Sequence, residues 1–318
     1  MTKVQTSSSQ AVAPLGPNAS STANDSSLAR YMTELSGYEL LTHSAEIALA
    51  QDVERLEVAY WCALLGFPRA YGVLRGVIAQ HLEAPPKELN GIARASRAAS
   101  ASKARAADRT RYERAVQRAA PKLREMDLHR EAVKAVHVAA LEHCEQELSE
   151  LTGRTHVRKA DAVRAYRSGI QTARREQQEA KDRFVAANLR LVVSMARRYA
   201  REGRMPLGDL IQEGNLGLMK AVERFDHRRG FRFSTYASWW IRHALTRGLA
   251  DKGRLVRLPV HALEARARLS RVARKLTSQT GVSPTLSELA AETGLAPDKV
   301  SAIESLSTES HSSLDGSA

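Results

Sequence analysis

Residues 225–247 read FDHRRGFRFSTYASWWIRHALTR. The chain has only 5 Phe, 8 Tyr and 3 Trp, yet six of these aromatics fall in this stretch: Phe225, Phe231, Phe233, Tyr236, Trp239 and Trp240. Arg228, Arg229, Arg232, Arg242 and Arg247 are interleaved with them. Aromatic rings stack on unpaired bases and arginines neutralise phosphates, the pairing needed to hold single-stranded nucleic acid. From Ser234 onward the pattern predicts a helix. Tyr236, Trp239, Trp240, His243 and Arg247 share one face at i, i+3, i+4, i+7 spacing, and Ala237, Ile241, Ala244, Leu245 and Gly248 form a second, small and apolar face suited to packing. Two readings of the tryptophans stay open: a surface on which bases stack, or an aromatic stripe buried in the core.

Working outward, residues 180–201 predict one amphipathic helix through Phe184, Ala187, Leu191, Met195 and Tyr199. Residues 207–225 predict another, with Leu210, Ile211, Leu218 and Val222 inward and Gly214 and Gly217 permitting close approach of a neighbour. On it, Asp209, Gln212 and Glu213 lie at i, i+3, i+4, either a solvated edge or a face presented to a partner helix. Downstream, Arg254 and Arg257 precede a break at Pro259, and His261 and Glu264 open the next helix. Residues 285–303 carry a helix–turn–helix-like pattern with Gly294 at the turn. Upstream, residues 28–82 are helical in pattern, with Thr42 a plausible helix start and Leu41, Ile47, Leu49, Val53 and Leu56 near one face. Residues 83–108, with Pro85, Pro86 and Gly91 among Ala, Ser, Arg and Lys, read as a variable, basic, surface-exposed segment. Helical periodicity returns over 123–151. Residues 1–27 read as a disordered tail and 305–318 as a flexible one.

The 318 residues carry 48 Lys and Arg against 35 Asp and Glu, a net charge of +13. Such a balance points to a polyanionic partner, nucleic acid before an anionic membrane, because acidic residues flank the aromatic cluster and no lipidation motif is visible. No apolar run reaches the ~18 residues of a membrane span, and the amino terminus lacks the apolar core of a signal peptide. Cys62 and Cys144 have no metal-ligand spacing and suit free thiols in a reducing cytoplasm. No P-loop, dinucleotide fingerprint, HExxH or nucleophile elbow occurs, so neither an enzyme nor a cofactor or metal is expected.

The strings ANLRLVVSMARRY (187–199), DLIQEGNLGLMKAVERFD (209–226), RRGFRFSTYASWWIRHALTR (228–247) and RLVRLPVHALE (254–264) resemble the central part of bacterial RNA polymerase sigma factors of the sigma-70 family, primary or primary-like. The likeness runs more weakly to about Leu28 and Ile303. It implies an all-α, multi-domain architecture: an amino-terminal helical element (28–82), a variable helical insert with a basic linker (83–179), a core domain (180–252) and a three-helix domain (253–304). It implies that Asp209, Gln212 and Glu213 dock on a coiled coil of the largest subunit of core polymerase. It also implies that promoter DNA, duplex and melted non-template strand, is bound along the aromatic segment. There Tyr236 stacks against a flipped adenine, Phe225 and Asp226 line its pocket, and Trp239 and Trp240 occupy the upstream fork. Phe231 and Phe233 complete the aromatic surface, Asn188 and Ser234 read a second flipped base, and Arg242 and Arg247 hold phosphates. His243 and Thr246 match the pair that reads the adjoining duplex base pair. Housekeeping members usually carry Gln at the first of these positions, so the base preference there is open. Arg254, Arg257, His261 and Glu264 match a block that touches upstream duplex. An anti-sigma factor is a further implied partner. The match ends where relatives begin a finger loop and a minus-thirty-five-reading domain, and no acidic autoinhibitory domain is expected at the amino terminus. Besides an initiation factor, two readings fit these residues: a sigma-like decoy or fragment that occupies core polymerase, and a single-strand-binding protein that acts without it.

Overall fold

The computed structural model describes residues 28–35, 37, 41–101, 103–151, 157–201, 205–254 and 256–305. The tails read as disordered at 1–27 and flexible at 305–318 lie outside these residues, save Ser305. Among the described residues every regular element is helical, α or 3-10, with no strand, the all-α class the sequence implies. The chain divides into two compact units, one of residues 1–192 with 215–240 and one of residues 193–214 with 241–318.

The first unit opens with α1 (28–35) and α2 (His43–Leu64). Thr42 starts α2 as expected: its hydroxyl accepts the Ala45 amide at 3.3 Å, satisfying one of the donors that a helix start leaves open. The buried face of α2 carries Ala50, Val53, Leu56, Tyr60, Trp61 and Leu64. α3 (Tyr71–His81), α4 (Glu88–Ala99), α5 (Ala106–Met126), α6 (Glu131–Glu150) and α7 (Val157–Ala186) pack around it. One core runs from Tyr60 and Trp61 through Ile92, Tyr112 and Leu123 to Ile170. The segment limits at 82/83 and 179/180 therefore do not mark breaks in packing, and α7 runs through the second of them. The expectation of an exposed segment over 83–108 is corrected in part. Leu89, Ile92 and Ala95 recur at helical spacing, form α4 and are buried. The carbonyls of Leu64 and Leu65, at the end of α2, accept the hydroxyls of Tyr166 and Tyr112, each at 2.5 Å. Buried carbonyls without such partners would each cost about 1–3 kcal/mol, so these tyrosines tie α5 and α7 to α2. Burial raises both phenols well above the ordinary tyrosine range.

The helix expected over 180–201 is in fact two. α7 ends at Ala186 and α8 spans Leu189–Ala200. Asn188 breaks the ladder: its side-chain amide donates to the Phe184 carbonyl at 2.9 Å, an acceptor the continuing helix would use. α9 (Leu207–Arg224) leads through a 3-10 turn (His227–Arg229) to α10 (Phe233–Lys252).

In the second unit, α11 (Val260–Thr280), α12 (Leu286–Thr293) and α13 (Pro297–Ser305) enclose Leu269, Leu289, Ala290 and Val300. Thr285 and Glu288 form a reciprocal capping box, and Gly294 ends α12 at φ +69°, a conformation favoured by glycine.

Candidate nucleic-acid interface

The segment singled out by sequence is built as a turn between two helices. Asp226 accepts the Arg228 amide at 3.1 Å, and Gly230 closes the turn at φ +73°. Burial works to raise the Asp226 carboxyl, but the Arg228 amide and the Arg229 guanidinium, 3.4 Å away, outweigh it and hold the group below the usual carboxylate range. The turn thus presents a fixed anion beside cationic side chains.

The aromatics separate into a buried backing and an open rim. Phe233 is fully buried, 4.5 Å from Phe184 between ring centroids and edge-on to Phe225 at 5.1 Å. Phe233 is accordingly not a strand-binding residue. It is the first residue of α10, at i−4 from Ala237 and i−8 from Ile241, and so continues the packing face that these buried residues form. Phe225 and Tyr236 are half-buried against this backing, with centroids 5.9 Å apart. Phe231 and Trp239 stand out, 66% and 59% exposed. Between them lies an open cavity of about 410 Å³ lined by Arg224, Phe225, Asp226, Arg229, Phe231, Thr235, Tyr236 and Trp239. Its size, exposed ring faces, flanking guanidinium groups and single carboxylate suit a planar, hydrogen-bonding ring attached to an anionic backbone. Trp240 stands edge-on to Trp239 at 5.1 Å, and the Arg224 guanidinium lies 4.9 Å over its ring. The two tryptophans differ: Trp239 faces solvent and Trp240 is half-buried, so neither belongs to the fully buried core.

Asn188, Ser234 and Trp240 do not line the cavity. Asn188 and Ser234 are half-buried, Asn188 ending α7 and the Ser234 carbonyl accepting the Ser238 hydroxyl at 2.7 Å. Two of the interleaved arginines, though exposed, are engaged by carboxylates of α2. Arg232 forms a two-pronged pair with Glu46, at 2.9 and 3.0 Å, and Arg228 pairs with Glu54. Burial works to raise Glu46, but Arg232 overrides it and holds the carboxyl below its usual range. These partners were missed by the sequence reading, although a signal existed: Glu46 and Glu57 lie about three turns apart on the apolar face of α2, with Glu54 at its edge. Carboxylates on a face that must be buried require cations.

In the second unit, Arg242, His243, Thr246 and Arg247 are exposed on α10. The Thr246 hydroxyl is bonded to the Arg242 carbonyl. Asp251 lies 3.7 Å from Arg247 and 3.0 Å from Arg257, while Arg254 is half-buried. His261 and Glu264 are exposed in the first turns of α11. Asp209 and Gln212 are exposed on α9, but Glu213 is half-buried and its carboxylate accepts Lys252 at 2.6 Å. The hydrogen bond to Glu213 raises the Lys252 ammonium above its ordinary range. Glu213 lies over Gly248, where an added Cβ would fall 2.7 Å from its Cγ. Among the described residues no helix is long and apolar enough to cross a membrane, and no cluster of His, Cys, Asp and Glu could hold a metal ion.

The helical scaffold thus sets exposed aromatics and arginines around an open, ring-sized cavity. Comparison with known proteins gives its relatives. Residues 184–255 match Sigma-70 region 2 and residues 264–314 match Sigma-70 region 3. Over 123 residues, 39% of this chain and 36% of the relative, the sequence is 61% identical to the RNA polymerase principal sigma factor HrdC of Streptomyces coelicolor. It is 54% identical to the principal sigma factor HrdD of the same organism over 136 residues, 43% of this chain and 41% of the relative. It is also 54% identical to the RNA polymerase sigma factor SigA of a Bacillus species over 132 residues, 42% and 35% of the two chains. The chain spans about two fifths of the length of the curated relatives it matches. Its carboxyl-terminal half is thus similar to sigma-70 regions 2 and 3 and to the matching part of these principal sigma factors.

Proposed function

We propose that this chain is a transcription initiation factor that binds core RNA polymerase, recognises the minus-ten promoter element and nucleates melting of the DNA. The observation that carries the reading is the cavity between Phe231 and Trp239, which lies within the segment matching sigma-70 region 2. Extruding a base from duplex costs a few kcal/mol, and stacking on an aromatic returns about 1–3 kcal/mol per base. A surface of open rings beside cations therefore favours the melted state of the element it touches. Tyr236 and Phe225 form the cavity wall, Phe231 and Trp239 its rim, and Asp226 supplies the acceptor for an exocyclic amine. Arg242, His243, Thr246 and Arg247 continue along α10 toward the adjoining duplex. Arg254, Arg257, His261 and Glu264 touch the duplex beyond it. Asp209 and Gln212 supply the docking face for a helical coiled coil of the polymerase, with Glu213 held at its edge by Lys252.

The test is permanganate footprinting of unpaired thymines with purified core polymerase. Tyr236→Ala and Trp239→Ala should retain core binding and lose open-complex signal, each by about 5- to 150-fold for a stacking partner of that size. Melting equal to wild type in both variants would remove the aromatic face from the mechanism. Core binding with no melting by the unaltered chain on any promoter would favour the decoy reading.

A further inference from the structure

The turn between α5 and α6 belongs to the variable insert, for which the sequence suggests only packing and solvation. Its hydrogen bonds reach much further. Arg130 holds a left-handed backbone conformation, φ +58°, which is uncommon for a residue with a side chain. That conformation turns a nearly buried guanidinium back through its own turn. One nitrogen donates to the carbonyls of Arg124 at 2.9 Å and Asp127 at 3.1 Å. The other donates to the Glu57 carboxylate at 2.7 Å and to the Glu223 carbonyl at 3.1 Å. Glu223 is in the last turn of α9, where carbonyls lack helical partners and a cation is electrostatically favoured. The turn itself is fixed, because the Asp127 carboxylate accepts the amides of Ala132 at 3.2 Å and Val133 at 2.8 Å.

The neighbouring residue extends the reach to the aromatic face. His129 Nδ1 lies 2.8 Å from an Arg224 guanidinium nitrogen, and the Arg224 guanidinium covers the Trp240 ring at 4.9 Å. Arginine can only donate, so Nδ1 is the acceptor and the His129 proton sits on Nε2. A guanidinium on a flexible stem samples many rotamers. One bonded at its far end and stacked on an indole is held in a single place. Arg224 also lines the cavity.

We infer that the 127–130 turn of the insert is a positioning element for the strand-binding face, with Arg130 holding the end of α9 and His129 holding Arg224 over Trp240 and at the cavity wall. The inference rests on the proposed reading of that face as a nucleic-acid surface. His129 is a positioning residue, acting on the bound strand only through Arg224.

The experiment uses the full chain with core polymerase and a fluorescein-labelled single-stranded oligonucleotide carrying the minus-ten hexamer. His129→Ala should weaken binding roughly tenfold, the loss of a hydrogen bond to a charged group, with the thermal unfolding midpoint unmoved because His129 is exposed. His129→Asn, whose amide oxygen restores an acceptor, should recover most of the affinity, which a purely steric or helix-end role would not require. In an Arg224→Ala background, His129→Ala should have no further effect. Wild-type affinity in His129→Ala, or losses that multiply in the double variant, while Trp240→Ala still abolishes binding, would overturn the positioning role and leave the surface assignment intact. Undiminished binding by Trp240→Ala, Tyr236→Ala and Trp239→Ala alike would overturn the surface assignment and the positioning role with it.

Discussion

Glu57→Gln keeps the volume of a side chain that is only 3% exposed but removes its charge. Three cations converge on this carboxylate: Arg130 at 2.7 Å, Arg124 at 2.9 Å and Lys181 at 2.9 Å. They are not equally dependent on it. Arg124 keeps Glu54 at 3.2 Å, and Arg130 keeps the carbonyls of Arg124, Asp127 and Glu223. Lys181, itself nearly buried, has Glu57 as its counter-charge. The substitution therefore strands one ammonium inside the first unit, a change that costs about 3–5 kcal/mol when one partner of a buried pair is removed. Urea unfolding followed by Trp61 fluorescence, in a chain carrying Trp239→Phe and Trp240→Phe, reports on this unit, because Trp61 is buried one helical turn beyond Glu57. The midpoint should fall by an amount equivalent to about 3–5 kcal/mol with little change in slope. Combining Glu57→Gln with Lys181→Met should recover a large part of the loss, since the stranded charge is then gone. A shift below about 1 kcal/mol, or a double variant no better than the single, would refute the reasoning. The pH dependence adds a second check. Burial works to raise Glu57, but Lys181, Arg130 and Arg124 prevail and hold it below 4.5. A carboxyl depressed on folding contributes stability that is present above its unfolded value and lost as pH falls through the folded one. The wild-type protein should accordingly lose stability in the window below about pH 4.5, and Glu57→Gln should lose less.

Three further outcomes follow from the same geometry. Asp209→Lys with Gln212→Lys should abolish co-purification with core polymerase at unchanged helical content, and undiminished co-purification would remove this face from docking. These two sites give a cleaner test than Glu213, which is bonded to Lys252. Gly248→Leu should destabilise the second unit by about 1–3 kcal/mol in urea, because its Cβ would fall 2.7 Å from Glu213 Cγ. A neutral Gly248→Leu would mean that Glu213 swings aside freely. His137, bonded to the Tyr60 hydroxyl at 2.7 Å and to Arg174 at 2.8 Å, is depressed by burial and then by the Arg174 charge. Since the unfolded chain then binds the proton more readily, stability should fall as pH drops below about 6.5, and His137→Gln should flatten that slope.

The aromatic segment was legible as one surface because a scarce residue type is concentrated there at helical spacing. What spacing could not resolve is which ring faces in. Phe233 and Phe231 are two residues apart and differ from fully buried to 66% exposed, because only Phe233 falls in register with Ala237 and Ile241. The register of α10 depends on where its first turn starts, and Gly230 with the Asp226 turn decides that. The break at Asn188 was invisible for a related reason. The apolar period continues across it, while a single side-chain amide diverts the backbone bond. The helices of the insert were the least legible part, since α4 mixes alanine and arginine and reveals a buried face only through Leu89, Ile92 and Ala95.

The ion pairs change what the arginine count means. Read from sequence, five arginines in residues 225–247 invite five phosphate contacts. In the structure Arg228 and Arg232 are spent on Glu54 and Glu46 of α2, with Glu46 buried, and Arg229 leans on Asp226. If Arg232 turned to a phosphate, its two-pronged bond would be lost and buried Glu46 would be left without that cation. Those arginines fix the loop between α9 and α10 to α2, so that, on the proposed function, Phe231 and the cavity wall would be in place before a strand arrives. Affinity for a flexible strand depends on how little must be ordered on binding, and a surface held from behind by α2 and by the 127–130 turn keeps that cost on the ligand's side. Sequence blocks that look peripheral to the binding segment, one in the amino-terminal element and one in the insert, are in this fold the mould in which that segment is set.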